Sequence, residues 1–142
     1  MLRIARKPGP TAWRTDGSRP RVLIEHHDAS VGVAAGNLLA AEGYEVATCT
    51  GPMRRFPCPM VEKGRCERVD QADVVVFGFE VEDEEDRGVL AALKAQNPGV
   101  PIVIEIPPSR VPFYKDELEG CVAVPRPMTR ESLLDAVERA LR

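Results

Sequence analysis

Residues 22–30 read VLIEHHDAS, a short apolar run that ends abruptly in two histidines and an aspartate. Extended by Arg21, the run RVLIE is apolar and β-branched without polar alternation, the pattern of a strand covered on both faces. Directly after it, Ser30 is placed to cap a helix whose apolar positions Val33, Ala34, Leu38 and Ala41 recur at helical spacing. Gly43 then supplies the C′ stop. A buried strand leading at once into an amphipathic helix is the first half of a β–α–β unit. His26 and His27, the only histidines in the chain, stand at its junction.

The same alternation continues. YEVATC reads as a second strand closed by the turn TGP, and DVVVFGF as a third, continuous enough for the interior of a parallel sheet. Asp83, Glu84, Glu85 and Asp86 open a helix that points Val89, Leu90 and Leu93 inward and stops at Asn97-Pro98-Gly99. VPIVIEI is a fourth strand, and a short helix near Tyr114–Glu119 leads to a fifth, CVAV. The last helix starts at Thr129 and carries Leu133, Leu134, Val137 and Leu141 on one face. Such alternation specifies a parallel α/β sheet with right-handed crossovers. Its working crevice lies outside the carboxyl ends of the strands, here His26–Asp28, Cys49–Gly51, Gly78–Glu80, Ile106–Pro108 and Pro125–Pro127.

The 142 residues fit one domain, with 44% hydrophobic residues for a core and 29% charged ones. No apolar run approaches membrane-spanning length. The net charge of −3 hides an asymmetry: Arg3, Arg6, Lys7, Arg14, Arg19 and Arg21 stand against Asp16 alone in the first 21 residues. Residues 1–20, rich in proline and glycine and without period, read as a basic, disordered arm, and residues 21–142 as the folded domain. The folded part is acidic, which gives no reason to expect nucleic-acid binding. The start of the chain lacks the apolar core of a secretory signal, so the expected location is cytoplasmic. There, cysteines serve as thiols, redox groups or metal ligands rather than standing disulfides.

The stretches VLIEHHD, GYEVATC, ADVVVFGF, PGVPIVIEIPPS and AVPRPMTRESLLDAVERAL together resemble the receiver domain of two-component response regulators. PRPMTRESLLDAV looks like that family's Lys-Pro turn and final helix. The resemblance implies a flavodoxin-like, doubly wound five-stranded parallel sheet of order 2-1-3-4-5. It also implies a set of working positions: paired acids for Mg²⁺ after the first strand, a phosphoacceptor aspartate ending the third, a hydroxyl after the fourth and a lysine after the fifth. Matched position by position, the acid pair falls on His26 and His27, with Asp28 just beyond. The acceptor falls on Gly78, the hydroxyl on Ile106 and the lysine on Arg126. Glycine accepts no phosphoryl group and imidazole is a poor Mg²⁺ ligand, so the resemblance is to a degenerate pseudo-receiver. It further implies signalling by contact with a protein partner or a second copy, through the face formed by the fourth helix, fifth strand and last helix.

Between the second and third strands, CTGPMRRFPCPMVEKGRCERVDQAD is longer than the corresponding receiver segment. Its prolines make a regular second helix improbable before Met60. Cys49, Cys58 and Cys66 punctuate it, and Cys49 ends its strand on the rim that holds His27. Three readings stay open: ordinary reduced thiols, a Cys₃His site for Zn²⁺ or an iron–sulfur cluster with His27, or a reversible Cys58–Cys66 disulfide. The histidines have a plain reading too, as replacements for an acid pair no longer needed, beside metal ligation or a pH-sensitive contact. EVEDEEDRG reads as a solvated helix start, with Glu80 the member to watch, and Glu105 with Arg126 as an ion pair across the rim. The leading expectation is a non-enzymatic signalling domain regulated through the cysteine segment. A metal, cluster or redox sensor is the alternative, and a thiol enzyme a distant third.

Overall fold

In a computed structural model, which describes Trp13, residues 17–51 and residues 58–142, the strands and helices alternate as the pattern requires. The strands are β1 (Arg21–Glu25), β2 (Glu45–Cys49), β3 (Val74–Phe77), β4 (Ile102–Ile106) and β5 (Val122–Pro125). The helices are α1 (Ala29–Ala41), α2 (Pro59–Lys63), α3 (Glu67–Asp70), α4 (Glu84–Gln96), α5 (Lys115–Leu118) and α6 (Arg130–Ala140). A 3₁₀ segment over Pro108–Phe113, which the periodicity does not predict, precedes α5. All strand pairs are parallel and the sheet order is β2-β1-β3-β4-β5.

Side chains alternate across the sheet and build two cores. Leu23, Val75, Phe77, Ile104 and Ile106 meet Met60, Val69, Val89, Leu90 and Leu93 on one face. Val22, Ile24, Val74, Val76 and Val103 meet Ala35, Leu39, Leu133, Ala136 and Val137 on the other. The register sets Glu25 level with Cys49 on one side and with Phe77 on the other, so the ends of the three strands form a common rim.

α1 differs from its expected orientation. Asp28, not Ser30, is the N-cap: its carboxylate accepts from the Ser30 and Val31 backbone N–H groups. The buried residues are Gly32, Ala35, Gly36 and Leu39. Val33 is 54% exposed, Ala34 and Ala41 are exposed and Leu38 is half-buried. Close approach is the reason: a Cβ on Gly36 would lie 3.1 Å from Val46 Cγ1, so the small residues let α1 settle on β2. In α6, capped by the reciprocal Thr129–Ser132 pair, Leu133, Ala136 and Val137 are buried, and Leu134 and Leu141 only flank the core.

The segment before β3 carries two short helices in place of one regular second helix, the first starting at Pro59 beside Met60. Residues 52–57 lie outside the described residues. So do residues 1–12 and 14–16 of the expected arm, where Trp13 packs against the first core with the Arg21 guanidinium 5.6 Å from its ring centre. Among the described residues no helix is long and apolar enough to cross a membrane.

Candidate functional site

At the carboxyl ends of the strands, three groups of side chains meet. In the first, His26 leaves β1 with its backbone N–H donating to the Cys49 carbonyl (2.9 Å). Its Nδ1 accepts from the Asp28 N–H (3.0 Å), which leaves the ring hydrogen on Nε2, 3.4 Å from Glu105 Oε1. The ring lies over Gly78. A Cβ there would sit 2.7 Å from His26 Cδ2 and 2.8 Å from the Glu25 carbonyl oxygen. The space of an acceptor side chain is therefore taken by imidazole.

Arg126 closes this group. Its guanidinium reaches Glu80 Oε1 (2.5 Å), the carbonyls of Gly78 (3.0 Å) and Phe79 (3.4 Å), and Glu105 Oε1 (3.2 Å). Glu105 is buried at the end of β4, and its other oxygen accepts from the Met128 N–H (3.2 Å). The ion pair expected between Glu105 and Arg126 is thus present, and Glu80 joins it. Ile106 is buried in the first core. Asp28 is exposed and capped into α1, where hydrogen bonds from Ser30 and Val31 hold its carboxyl below the usual range. It is committed to the helix start rather than to a cation.

The second group centres on His27. The Thr50 carbonyl accepts from Nδ1–H (2.9 Å) and Nε2 lies 2.7 Å from Asp86 Oδ2. Both partners are acceptors, so both ring nitrogens donate, the imidazolium arrangement. Partial burial opposes the charge. The Asp86 hydrogen bond, the Thr50 carbonyl and the carboxylates of Asp86 and Glu80 outweigh it and raise the His27 pKa above its ordinary value. The ring stacks on Phe79 with centroids 4.4 Å apart. Gly51, at φ +90°, is required beside it: a Cβ would come within 2.8 Å of Phe79 and 2.9 Å of His27.

Asp86 corrects the reading of EVEDEEDRG as solvated. It is 3% exposed and also accepts from the Glu80 N–H (2.9 Å). Helical spacing decides this, because Asp86 shares the inward face of α4 with Val89, Leu90 and Leu93. That spacing is visible in the sequence and was the available signal.

The third group surrounds a cavity of about 460 Å³ between the sheet, α2–α3 and α4. Cys49, Cys58 and Cys66 all line it, as the length of their segment allows. His27 does not line it, both its nitrogens being engaged by Thr50 and Asp86. Among the described residues no three His, Cys, Asp or Glu side chains converge as metal ligands, and the four cysteines are free thiols. Burial, above other influences, pushes the Cys49 and Cys58 thiols up, which disfavours the thiolate that nucleophilic chemistry needs. Cys121 lies away from the rim, its thiol near the Glu117 and Glu119 carbonyls before β5.

The acid in this cavity is Glu25, which the sequence reading did not single out. It continues the Leu23 row of β1, is 5% exposed, and its Oε1 has no hydrogen-bond partner among the described residues. Burial, and then the nearby Asp86 carboxylate, push its carboxyl up to about 8 against the opposing pull of Arg68 and His27. A glutamate ending an otherwise apolar strand was the only trace of it in the sequence.

No family model and no curated protein matches the chain. Solved structures do. A CheY-like response regulator receiver domain protein from Methanospirillum hungatei JF-1 superposes with a TM-score of 0.64 at 19% identity, over 87% of this chain and 94% of that one. This is the receiver fold. Chemotaxis protein CheY4 of Vibrio cholerae shares it at 20% identity and TM-score 0.64, over 87% of this chain and 100% of its own. A putative pilus assembly-related protein from Burkholderia pseudomallei K96243 does so at 19% identity and TM-score 0.68, over 92% and 94%. The receiver fold explains the sheet order and the placing of the rim. At these identities it leaves the chemistry to the residues themselves.

Proposed function

We propose that this chain is a non-phosphorylatable, receiver-fold signalling domain that acts in the cytoplasm by protein contact and is not an enzyme. One observation carries the reading: the His26 ring stands where a side chain at Gly78 would project, 2.7 Å from the Cβ position. The surrounding charges agree with it. Arg126 is drawn into ion pairs with Glu80 and Glu105, and Asp28 caps α1. An incoming phosphoryl group meets no carboxylate acceptor at position 78 and no acid pair for Mg²⁺.

Output through the face formed by the 3₁₀ segment with α5, β5 and α6 fits an exposed Phe113, 73% accessible on that segment. Regulation through the cysteine segment fits the gathering of Cys49, Cys58 and Cys66 on one cavity. Incubation with acetyl phosphate and Mg²⁺, followed by intact-mass measurement, tests the central claim. No phosphoryl adduct and no Mg²⁺-dependent fluoride adduct are expected. A stoichiometric adduct on an aspartate overturns it.

A further inference from the structure

The cavity beneath α2 and α3 opens beside the rim but is lined by other side chains than those at the acceptor position. Leu23, Met60, Val69, Val89 and Leu93 give it an apolar wall. Its volume, about 460 Å³, falls in the range of small-molecule sites. Glu25 stands on the sheet side, 5% exposed, with Oε1 lacking any hydrogen-bond partner among the described residues. Buried carboxyl oxygens are rarely left unpartnered, because each such group forfeits its hydrogen bonds to water.

The groups facing Glu25 decide what kind of partner suits it. Asp86 of α4 bears on it as an acid. His27, after β1, bears on it as a cation but is already paired to Asp86. Cys49, Cys58 and Cys66 from β2 and the α2–α3 segment line the same cavity, and burial pushes the first two thiols upward. Arg68 of α3 is the remaining charge, with its Nη1 donating to the Thr48 carbonyl at 3.3 Å. Glu25 itself, raised to about 8, holds its proton at neutral pH. A carboxyl in that state offers one O–H donor and one carbonyl acceptor side by side.

The geometry points to a binding site for a small, uncharged, largely apolar molecule carrying one amide- or lactam-type group, seated with that group on Glu25. A lactam presents the matching acceptor and donor, so one contact satisfies the orphaned oxygen and leaves no buried charge. The apolar body covers Met60, Val89 and Leu93. Because the wall includes both α3 and α4, an occupant ties the cysteine segment to the helix that carries Asp86. The site stands whether or not position 78 can be phosphorylated.

Three bicyclic probes of similar size test it by ¹H–¹⁵N chemical-shift titration at pH 6.5: 2-quinolinone (an uncharged lactam), 2-naphthoate and 2-naphthylmethylamine. 2-Quinolinone is expected to shift the amides of Glu25, Cys49, Met60 and Val89 saturably. The two charged probes are expected to bind at least about ten-fold more weakly, the cost of burying a charge against a neutral carboxyl. Glu25→Gln, which keeps a donor and an acceptor, retains the lactam. Glu25→Leu loses about ten-fold or more. Cys58→Trp, at the half-buried edge of the cavity, blocks binding in a protein whose other amide shifts are unchanged. No saturable shift with 2-quinolinone overturns the inference, as does binding that survives Cys58→Trp. Tighter binding of the amine, abolished by Glu25→Gln, overturns it as well by making Glu25 a carboxylate counter-ion.

Discussion

Replacing Gly78 by alanine adds one methyl group, and the structure says where that methyl must go. Its Cβ would lie 2.7 Å from His26 Cδ2 and 2.8 Å from the Glu25 carbonyl oxygen. Neither neighbour yields easily. The His26 side chain is 12% exposed, with its ring nitrogens turned to the Asp28 N–H and Glu105. The Glu25 carbonyl is main chain and accepts the Gly78 N–H at 2.7 Å. Overpacking of this kind costs roughly 1–3 kcal/mol, or about 3–10 °C in Tm for a domain of this size. Urea denaturation measures it, with the midpoint expected to fall at constant m-value. Removing the ring with His26→Ala relieves one of the two contacts, so Gly78→Ala is expected to cost less in that background, by about 0.5 kcal/mol or more. A neutral Gly78→Ala, or an equal cost in both backgrounds, refutes the claim that the imidazole occupies the acceptor's place.

Three further outcomes follow from the same rim. Burial pushes the folded Glu25 carboxyl up to about 8, above its ordinary value of 4.5, so the folded state holds a proton that the unfolded state releases. Stability therefore falls as pH rises from about 4.5 to about 8, by at most roughly 5 kcal/mol. Glu25→Gln is expected to flatten that slope in denaturation series across the window, and parallel curves for the two proteins contradict the assignment. His27, raised by Asp86, contributes stability that is complete below its unfolded pKa and is lost as pH rises through its folded one. Asp86→Asn should move the His27 titration seen by NMR downward; an unmoved titration contradicts the pairing. Arg126→Met leaves buried Glu105 with an unbalanced charge and is expected to cost roughly 3 kcal/mol, whereas the double variant with Glu105→Gln recovers much of it. Additive losses in that cycle count against the network.

The strands were legible because their signal is local. RVLIE, DVVVFGF and VPIVIEI are buried on both faces, and a run without polar alternation records that directly. The orientation of α1 was not legible from hydrophobicity, since Gly32 and Gly36 outrank Val33 only once β2 lies against the helix. Asp86 lay between these cases, its inward position readable from α4 spacing and its partner His27 not readable at all. Gly78 changed in meaning: in the sequence it is a missing acceptor, and in the fold it is the residue that makes room for His26.

By itself the sequence determined five parallel strands, their crossovers and which residues reach the carboxyl rim, because each follows from periodicity over a few residues and from chain chirality. Only the tertiary structure decided that His27 pairs with Asp86 rather than with a cysteine, that Arg126 joins Glu80 to Glu105, and that Glu25 shares a cavity with three thiols. Desolvation and ion pairing depend on what surrounds a group, and here partners such as His27 and Asp86 lie 59 residues apart in the chain.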